Sequence, residues 1–381
     1  MTVPLLDLRR QYAPLKTELL AAMEAVADSQ ALVLGPVTET FERSVADYVG
    51  VRHAIGVSSG TDAELMVLMA LGIGPGDAVI TTPYTFFATA SCVARLGARP
   101  VFVDIDPATY NISPAQLAAA LERTPAAKAI VPVHLFGQCA DMAAILSLGK
   151  KHGIPVLEDA AQALGARHPL GAAGAMGEAG WFSFYPTKNL GAFGDAGMVV
   201  CDDDELAAKL RALRNHGMET RYFHQWLGGN FRIDALQSAV LGVKLPHLDS
   251  WSAARQARAA IYRAEFEKLA LGTQLVLPVE AHAESGTVHH HIYNQFIVRT
   301  SQRDPLRAHL TAAGIGTEIY YPLPLHLQEC FRDLGYREGD FPEAERAARE
   351  TLALPIFPEL TAGEQSIVVT SIADFFSKRS S

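Results

Sequence analysis

Between about residues 50 and 200, short apolar runs rich in β-branched residues alternate with stretches whose apolar positions recur at helical spacing. The runs are "HAIGVSSG", "DAVITTP", "RPVFVDID", "AKAIVPVHLF", "IPVLEDAA", "GWFSFY" and "GMVVCDD". Between them, "DAELMVLMALG" reads as a helix opened after Thr61, and "SPAQLAAALE" as another with Ser113 at its N-cap and Pro114 in its first turn. This alternation predicts an α/β domain with an open, mostly parallel sheet covered by helices. Near 230 the alternation stops, and "IDALQSAVLGVKLPHLDSWSAARQARAAIYRAEFEKLALG" reads as two helices broken around Pro246, the second long enough to link two domains. A strand ("HIYNQFIVR"), a helix ("PLRAHLTAAG"), a strand ("GTEIYY") and two late helices follow. The expected division is a large domain over 1–250 and a smaller C-terminal α+β domain over 251–381.

A chain of 381 residues with 49% apolar content can bury a full-sized core. Its formal net charge of −9 is spread without acidic tails, which makes nucleic acid and anionic membrane poor partners and requires a local site for any anionic ligand. Cys92, Cys139, Cys201 and Cys330 are widely spaced within apolar runs, a pattern of buried thiols in a reducing cytoplasm rather than of a disulfide framework or metal site. Asp7, Arg9 and Arg10 interrupt the stretch a signal peptide would need, and no run reaches the roughly 18 apolar residues of a membrane span. "HHHIY" at 289–293 reads as a strand edge, because adjacent strand residues point to opposite faces and do not converge on a metal.

Ligands of a parallel α/β sheet lie beyond the carboxyl ends of its strands, so the residues after each strand are read together. Ser58-Ser59-Gly60-Thr61 opens a helix and offers N–H groups, hydroxyls and a positive helix end to a phosphate, although a Ser/Thr there is by default only a cap. Tyr84, Thr85, Phe86 and Phe87 form an aromatic cluster that serves either packing or a flat ligand. Glu158 and Asp159 end an apolar strand, where a carboxylate needs a cationic partner. Lys188 follows the aromatic run "WFSFY" and precedes a glycine-bracketed loop, a setting that lowers an amine's pKa and frees its lone pair. Singly, Lys188 is as readily an ion-pair partner as a catalyst. Together, a phosphate seat, an aromatic plate, a buried carboxylate and an imine-forming lysine are what pyridoxal 5′-phosphate (PLP) requires.

The stretches "GPVTETFERSVADYVGVRHAIGVSSGTDA", "TPYTFFATASCVARLGARPVFVDID", "VPVHLFGQCADM", "LEDAAQALGA", "FSFYPTKNLGAFGDAGM", "GGNFRIDALQSAVL" and "YYPLPLHLQECF" resemble, over essentially the whole chain, the DegT/DnrJ/EryC1/StrS family of PLP-dependent sugar aminotransferases of fold type I. The resemblance implies that Lys188 bonds covalently to the cofactor and that Asp159 meets the pyridine nitrogen. It implies further that Gln162 bonds the ring hydroxyl, that Phe86 stacks on the ring, and that Gly60, Thr61 and Ser183 bind the phosphate, with a backbone N–H from Asp62. Asn230 matches an asparagine that reaches the phosphate of the neighbouring subunit, so the active unit would be a homodimer. The family's sugar dehydratases carry histidine in place of this lysine. Ala196 departs from the family's "GDGG" or "GEGG" loop, and Tyr320 stands where histidine is common. The expected reaction takes an amino group from L-glutamate, through pyridoxamine 5′-phosphate, to a nucleotide-linked keto-hexose, 3-keto and UDP- or dTDP-linked, with Arg232, Tyr321 and His326 as substrate contacts. Such chemistry belongs to amino-sugar biosynthesis for surface polysaccharide, lipopolysaccharide or natural-product glycans. The rival readings are a PLP- or pyridoxamine-phosphate-dependent sugar dehydratase and a non-enzymatic PLP-binding regulator.

Overall fold

The structure, a computed structural model, describes residues 2–377. Seven strands, β1 (His53–Val57), β2 (Ala78–Thr81), β3 (Arg99–Phe102), β4 (Ala127–Ile130), β5 (Leu157–Asp159), β6 (Ala179–Ser183) and β7 (Gly197–Cys201), carry the large sheet. They pair in the orders β1-β7-β6-β5 and β3-β2-β4. Parallel bridges Ile130↔Val156 and Val133↔Asp159 join β4 to β5, giving one continuous sheet. Only β7 runs against its neighbours, pairing antiparallel with both β1 and β6. The mostly parallel sheet expected from the alternation is therefore present, with one reversed strand whose apolar run carries no mark of direction.

Before the sheet come α1 (Leu8–Ser29) and α2 (Pro36–Val49). Crossing it are α3 (Gly60–Ala70), α4 (Ala88–Arg95), α5 (Pro114–Arg123), α6 (Met142–His152) and α7 (Asp204–Arg214). Local chemistry sets their ends. Ser113 accepts from the Gln116 N–H at the start of α5, with Pro114 behind it. Gly153 closes α6 in the left-handed conformation, φ +66°, after the basic turn Lys150-Lys151-His152. Helix α3 buries nearly every side chain, as a helix clad on all sides must.

The break at Pro246 is a short 3₁₀ turn, Leu245–His247, between α8 (Ala235–Lys244) and α9 (Leu248–Lys268). Leu248 packs in the core that holds Phe41, Phe184 and Met198, whereas Ala259, Tyr262 and Phe266 further along α9 pack with Phe296, Leu310 and Phe376. This second core surrounds a two-stranded antiparallel sheet of β8 (Phe296–Arg299) and β9 (Thr351–Leu354). Around it lie α10 (Arg303–Ala312), α11 (Pro342–Glu350) and α12 (Ala362–Ser377), and Val3 joins the same core. Asp104, just beyond β3, accepts from the Glu343 and Ala344 N–H groups at 3.0 and 2.9 Å, capping α11 from 240 residues away.

Several local expectations change. "GTEIYY" makes no strand, because Val3 takes the backbone groups of Gly314 and Gly316 (3.0 and 2.8 Å) and only Glu318 reaches Ala353. The strand expected over "HIYNQFIVR" shrinks to Phe296–Arg299, and β9 is its unforeseen partner. "HHHIY" is not a strand edge, since His289 has φ +59° and His291 stacks on Tyr293 at 3.9 Å between ring centroids. Cys330 is exposed rather than buried, because its short 3₁₀ helix turns Phe331 inward instead. The other three cysteines are buried. Among the described residues no helix is long and apolar enough to cross a membrane.

One glycine is fixed by close approach. A Cβ on Gly197, at the start of β7, would lie 2.4 Å from the Ser59 carbonyl carbon and 2.7 Å from the Gly60 nitrogen, both backbone atoms that cannot swing away. We expect Gly197→Ala to cost about 2–3 kcal/mol by overpacking, read as a lower urea midpoint, and to displace the first turn of α3. An unchanged midpoint would show that the β7–α3 contact yields freely.

Candidate active site

At the end of β1 the chain turns directly into α3. Ser59, extended at φ −163°, accepts from the Asp62 N–H at 3.0 Å, and Ser58 Oγ donates to Asp62 Oδ2 at 2.6 Å. The Asp62 N–H is thus spent on the Ser59 cap and its carboxylate on Ser58. The Gly60 and Thr61 N–H groups lie in the first turn of the helix, where no intrahelical acceptor exists, and face a cavity. A side chain at Gly60 would press to within 2.8 Å of Ser183 Cβ, so only glycine lets the last residue of β6 close the other wall of this seat.

Across the cavity, β5 delivers two adjacent carboxylates to opposite faces of the sheet. Glu158 points away and is fully buried. It is met by His134 Nε2 at 2.7 Å and by the N–H groups of Gly174, Met176 and Gly177 at 2.9, 2.5 and 2.6 Å. Its partner is therefore histidine plus backbone, with no lysine or arginine. Asp159 faces the cavity, accepting from Thr89 Oγ1 at 2.9 Å on Oδ2 and from the Ala161 N–H at 3.1 Å on Oδ1. Burial raises its pKa, and the two hydrogen bonds and Lys188 pull the other way.

Lys188 sits in the loop between β6 and β7, whose neck is the cross-strand pair Ser183↔Gly197. Within the loop the Lys188 N–H donates to Tyr185 O at 2.8 Å, the Phe184 N–H to Ala196 O at 2.8 Å, and the Ala192 N–H to Phe184 O at 2.8 Å. The amine projects into the cavity, where desolvation lowers its pKa from 10.5 to about 8 despite the opposing attraction of Asp159. A useful fraction of the amine is then unprotonated near neutrality.

The cavity, of about 520 Å³, collects Gly60, Thr61, Phe86, Asp159, Gln162, Ser183, Lys188 and Tyr321, eight of the residues singled out in the sequence. Phe86 is 58% exposed and tilted over Tyr321, with ring centroids 6.1 Å apart. Gln162 Oε1 accepts from the Phe136 N–H at 2.8 Å, and its Nε2 donates to Tyr321 Oη at 3.1 Å, so one amide hydrogen stays available. Four candidates lie outside the cavity. Asp62 caps α3. Asn230 is exposed, its backbone bridged to Asn215, and Arg232 Nη1 donates to Asn215 Oδ1 at 2.6 Å beside the end of β1. His326 is buried against Glu345, with Nε2 at 3.1 Å, and under the ring of Phe341, a place suited to structure rather than to meeting a substrate.

Glu64, Thr89, Trp181, Tyr185, Gln295 and Tyr320 also line the cavity and were not foreseen as site residues. Thr89 carried a signal, a hydroxyl in the first turn of α4 just after the aromatic cluster. For Glu64, only its charge within an otherwise apolar helix could have drawn notice.

A cationic-end phosphate seat, a buried carboxylate and a low-pKa lysine around one cavity suit PLP, and a family model of the DegT/DnrJ/EryC1/StrS aminotransferases matches residues 14–373. The chain belongs to that family. This aminotransferase is 50% identical over 376 residues, 99% of both chains, to the "Pleiotropic regulatory protein" of Geobacillus stearothermophilus. It is 44% identical over 370 residues, 97% of both chains, to the UDP-N-acetyl-3-dehydro-alpha-D-glucosamine 3-aminotransferase of Acidithiobacillus ferrooxidans. Among solved structures it superposes on S. venezuelae DesV in complex with a ketimine intermediate, with a TM-score of 0.92, 42% identity and 98% of both chains covered. The fold type I architecture and the PLP cofactor of the aminotransferase follow from these relations.

Proposed function

We propose that the protein moves the amino group of L-glutamate to a nucleotide-linked keto-hexose, oxidised at C3 rather than C4 and carried on UDP or dTDP, for amino-sugar biosynthesis. The observation that carries this reading is the pairing of Lys188 and Asp159 in one cavity, and the A. ferrooxidans relative, named for a UDP-linked 3-dehydro sugar, supports the sugar class.

When bound, PLP would supply an aldehyde that joins the donor's nitrogen and an electron-accepting ring that makes the Cα–H bond labile. The first-turn N–H groups of α3 and the Ser183 hydroxyl hold its phosphate, the negative group a helix start attracts. Phe86 covers the ring, and the free Gln162 amide hydrogen reaches the ring hydroxyl. Asp159, held by Thr89 and Ala161, keeps a proton on the pyridine nitrogen. Lys188 Nζ, unprotonated when released, would take the proton from the donor Cα and deliver it to the cofactor's C4′, and would carry a proton the opposite way, from C4′ to the sugar carbon, in the acceptor half-reaction. Tyr321 borders the substrate end of the cavity. We place Asn230 and Arg232 at the cavity of a second subunit in a cytoplasmic homodimer, and treat 250/251 as the domain division. The dimer is supported by the neighbouring hairpin segment, where Tyr222, Phe223 and Leu227 are 74, 70 and 93% exposed, apolar surface that a second copy would cover.

The name of the G. stearothermophilus relative favours one second reading, a regulator that binds PLP without turnover. A two-step titration separates the readings. L-Glutamate should bleach the bound cofactor's visible absorbance with release of one equivalent of 2-oxoglutarate, and one UDP-, dTDP- or GDP-linked keto-sugar should restore it. No bleaching by glutamate and no response to any sugar would leave the regulator. Sugar turnover without 2-oxoglutarate would mean a dehydratase.

A further inference from the structure

Two acids that line the cavity have no part in the scheme above, the exposed Asp195 and the buried Glu64. Glu64 stands in the second turn of α3, 1% exposed, and lines the same cavity as Asp159, Thr89 and Lys188. Its Oε1 is buried and has no hydrogen-bond partner. An ionised carboxylate in that state would lose its hydration with nothing in return, a loss of several kcal/mol in effective terms. The groups that act on it are few. Asp159, from the end of β5, repels its charge, and the thiol of Cys92, from α4, is a weak donor that it shares with Thr61 O, 3.4 Å from the sulfur. Lys188 attracts Asp159. Burial and the Asp159 charge both drive the Glu64 carboxyl up from its ordinary range.

Two buried acids therefore share this cavity under unequal conditions. Asp159 has a hydroxyl and an N–H directed at it and a cationic amine nearby, whereas Glu64 has only a thiol. Like charges placed together in low dielectric do not both ionise, and the proton goes to the worse-solvated member. We propose that Glu64 is a positioning residue for Asp159, a carboxylic acid that keeps its proton in the working protein so that Asp159 is the sole anion available to the cofactor's ring nitrogen. The inference rests on the PLP site described above. It assigns Glu64 no proton-transfer step; the residue fixes the charge of its neighbour.

The test uses the cofactor-free and the PLP-loaded full-length protein. In the cofactor-free protein, infrared difference spectra between wild type and Glu64→Gln should show a carbonyl band of an un-ionised, buried carboxylic acid at pH 7.5, lost in the variant. A carboxylate band in its place would overturn the proposal, and this arm stands whether or not PLP binds as described. In the loaded protein, Glu64→Gln exchanges one neutral group for another. The pH midpoint of the bound cofactor's visible absorbance should move by less than about 0.3 unit and PLP retention on dilution by less than about twofold. A midpoint lowered by about one unit or more would mean that an anion had been removed, and would also overturn it. Glu64→Asp, which shortens the acid by one methylene yet keeps its proton, should retain the carboxylic-acid band and the midpoint. If instead its band became that of a carboxylate, the neutrality would depend on side-chain reach rather than on the paired acids, and the proposal would fail. Loss of the cofactor's absorbance in wild type itself would count against the PLP site, not against the protonated Glu64.

Discussion

Lys188→Ala is expected to lower kcat for amino transfer by at least about 10³-fold, because it removes both the amine that joins the cofactor and the base that moves the Cα proton. The variant should still bind PLP through the α3 first turn and Ser183, and borohydride should no longer fix the cofactor to the chain, as mass spectrometry of the reduced protein would show. Transfer at an undiminished rate would end the assignment. Stability should move the other way. The folded-state pKa of about 8 lies below the ordinary 10.5, so the folded cofactor-free protein resists protonating this amine. Its cost to the fold is fully present below pH 8 and fades as the pH rises towards 10.5. Lys188→Met, which keeps the aliphatic stem, should therefore stabilise the cofactor-free protein at pH 7 by up to about 3 kcal/mol, with the gain shrinking above pH 8. A gain that grew with pH would contradict the sign.

Asp159→Asn should cost about 10²- to 10³-fold in kcat, since an amide can accept from the ring nitrogen but cannot hold a proton there, and the charge that develops in the ring loses its counter-charge. Covalent capture of PLP by Lys188 should survive, which separates this variant from the first. Here too the fold gains. Burial raises the Asp159 pKa, so above the folded-state value its ionised form is a burden on the cofactor-free protein. The asparagine variant should melt no lower than the parent at pH 7. A loss of thermal stability together with loss of PLP capture would indicate that Asp159 serves the fold rather than the cofactor. Catalytic cost paired with structural gain at both positions is what a site held in a destabilised state implies.

Much of the site was legible because its parts follow directly from single strands. Ser59-Gly60-Thr61, Asp159, Ser183 and Lys188 each lie at or just past a strand end, and an apolar run followed by polar residues marks that place without any knowledge of packing. What escaped depends on which elements meet. Nothing local in "GTEIYY" says that Val3 will occupy its backbone, and nothing in "TLAL" says that it will pair with "FIVR". Asp159 and Glu158 look equivalent in a sequence, and only the pleat sends one to the cavity and the other to His134. Glu64 is one charge in a helical run, and its burial shows only once α3 is found to be clad on every side. His326 in its proline-rich segment resembled a ligand contact, and the α11 acid that claims it lies 19 residues on.

The reversal of β7 has its own effect on the lysine. Because Ser183 and Gly197 face each other across the β6–β7 pair, the thirteen residues between them leave the sheet and return to it at one point. The Phe184, Lys188 and Ala192 N–H groups bond back into the segment, while Asn189, Gly191 and Phe193 tie it to Ile292, Lys244 and Gln237, so the lysine is held by a loop anchored both on itself and on the core behind it. In deuterium exchange the self-bonded amides of Phe184, Lys188 and Ala192 should accordingly slow in concert once a cofactor is attached to Nζ.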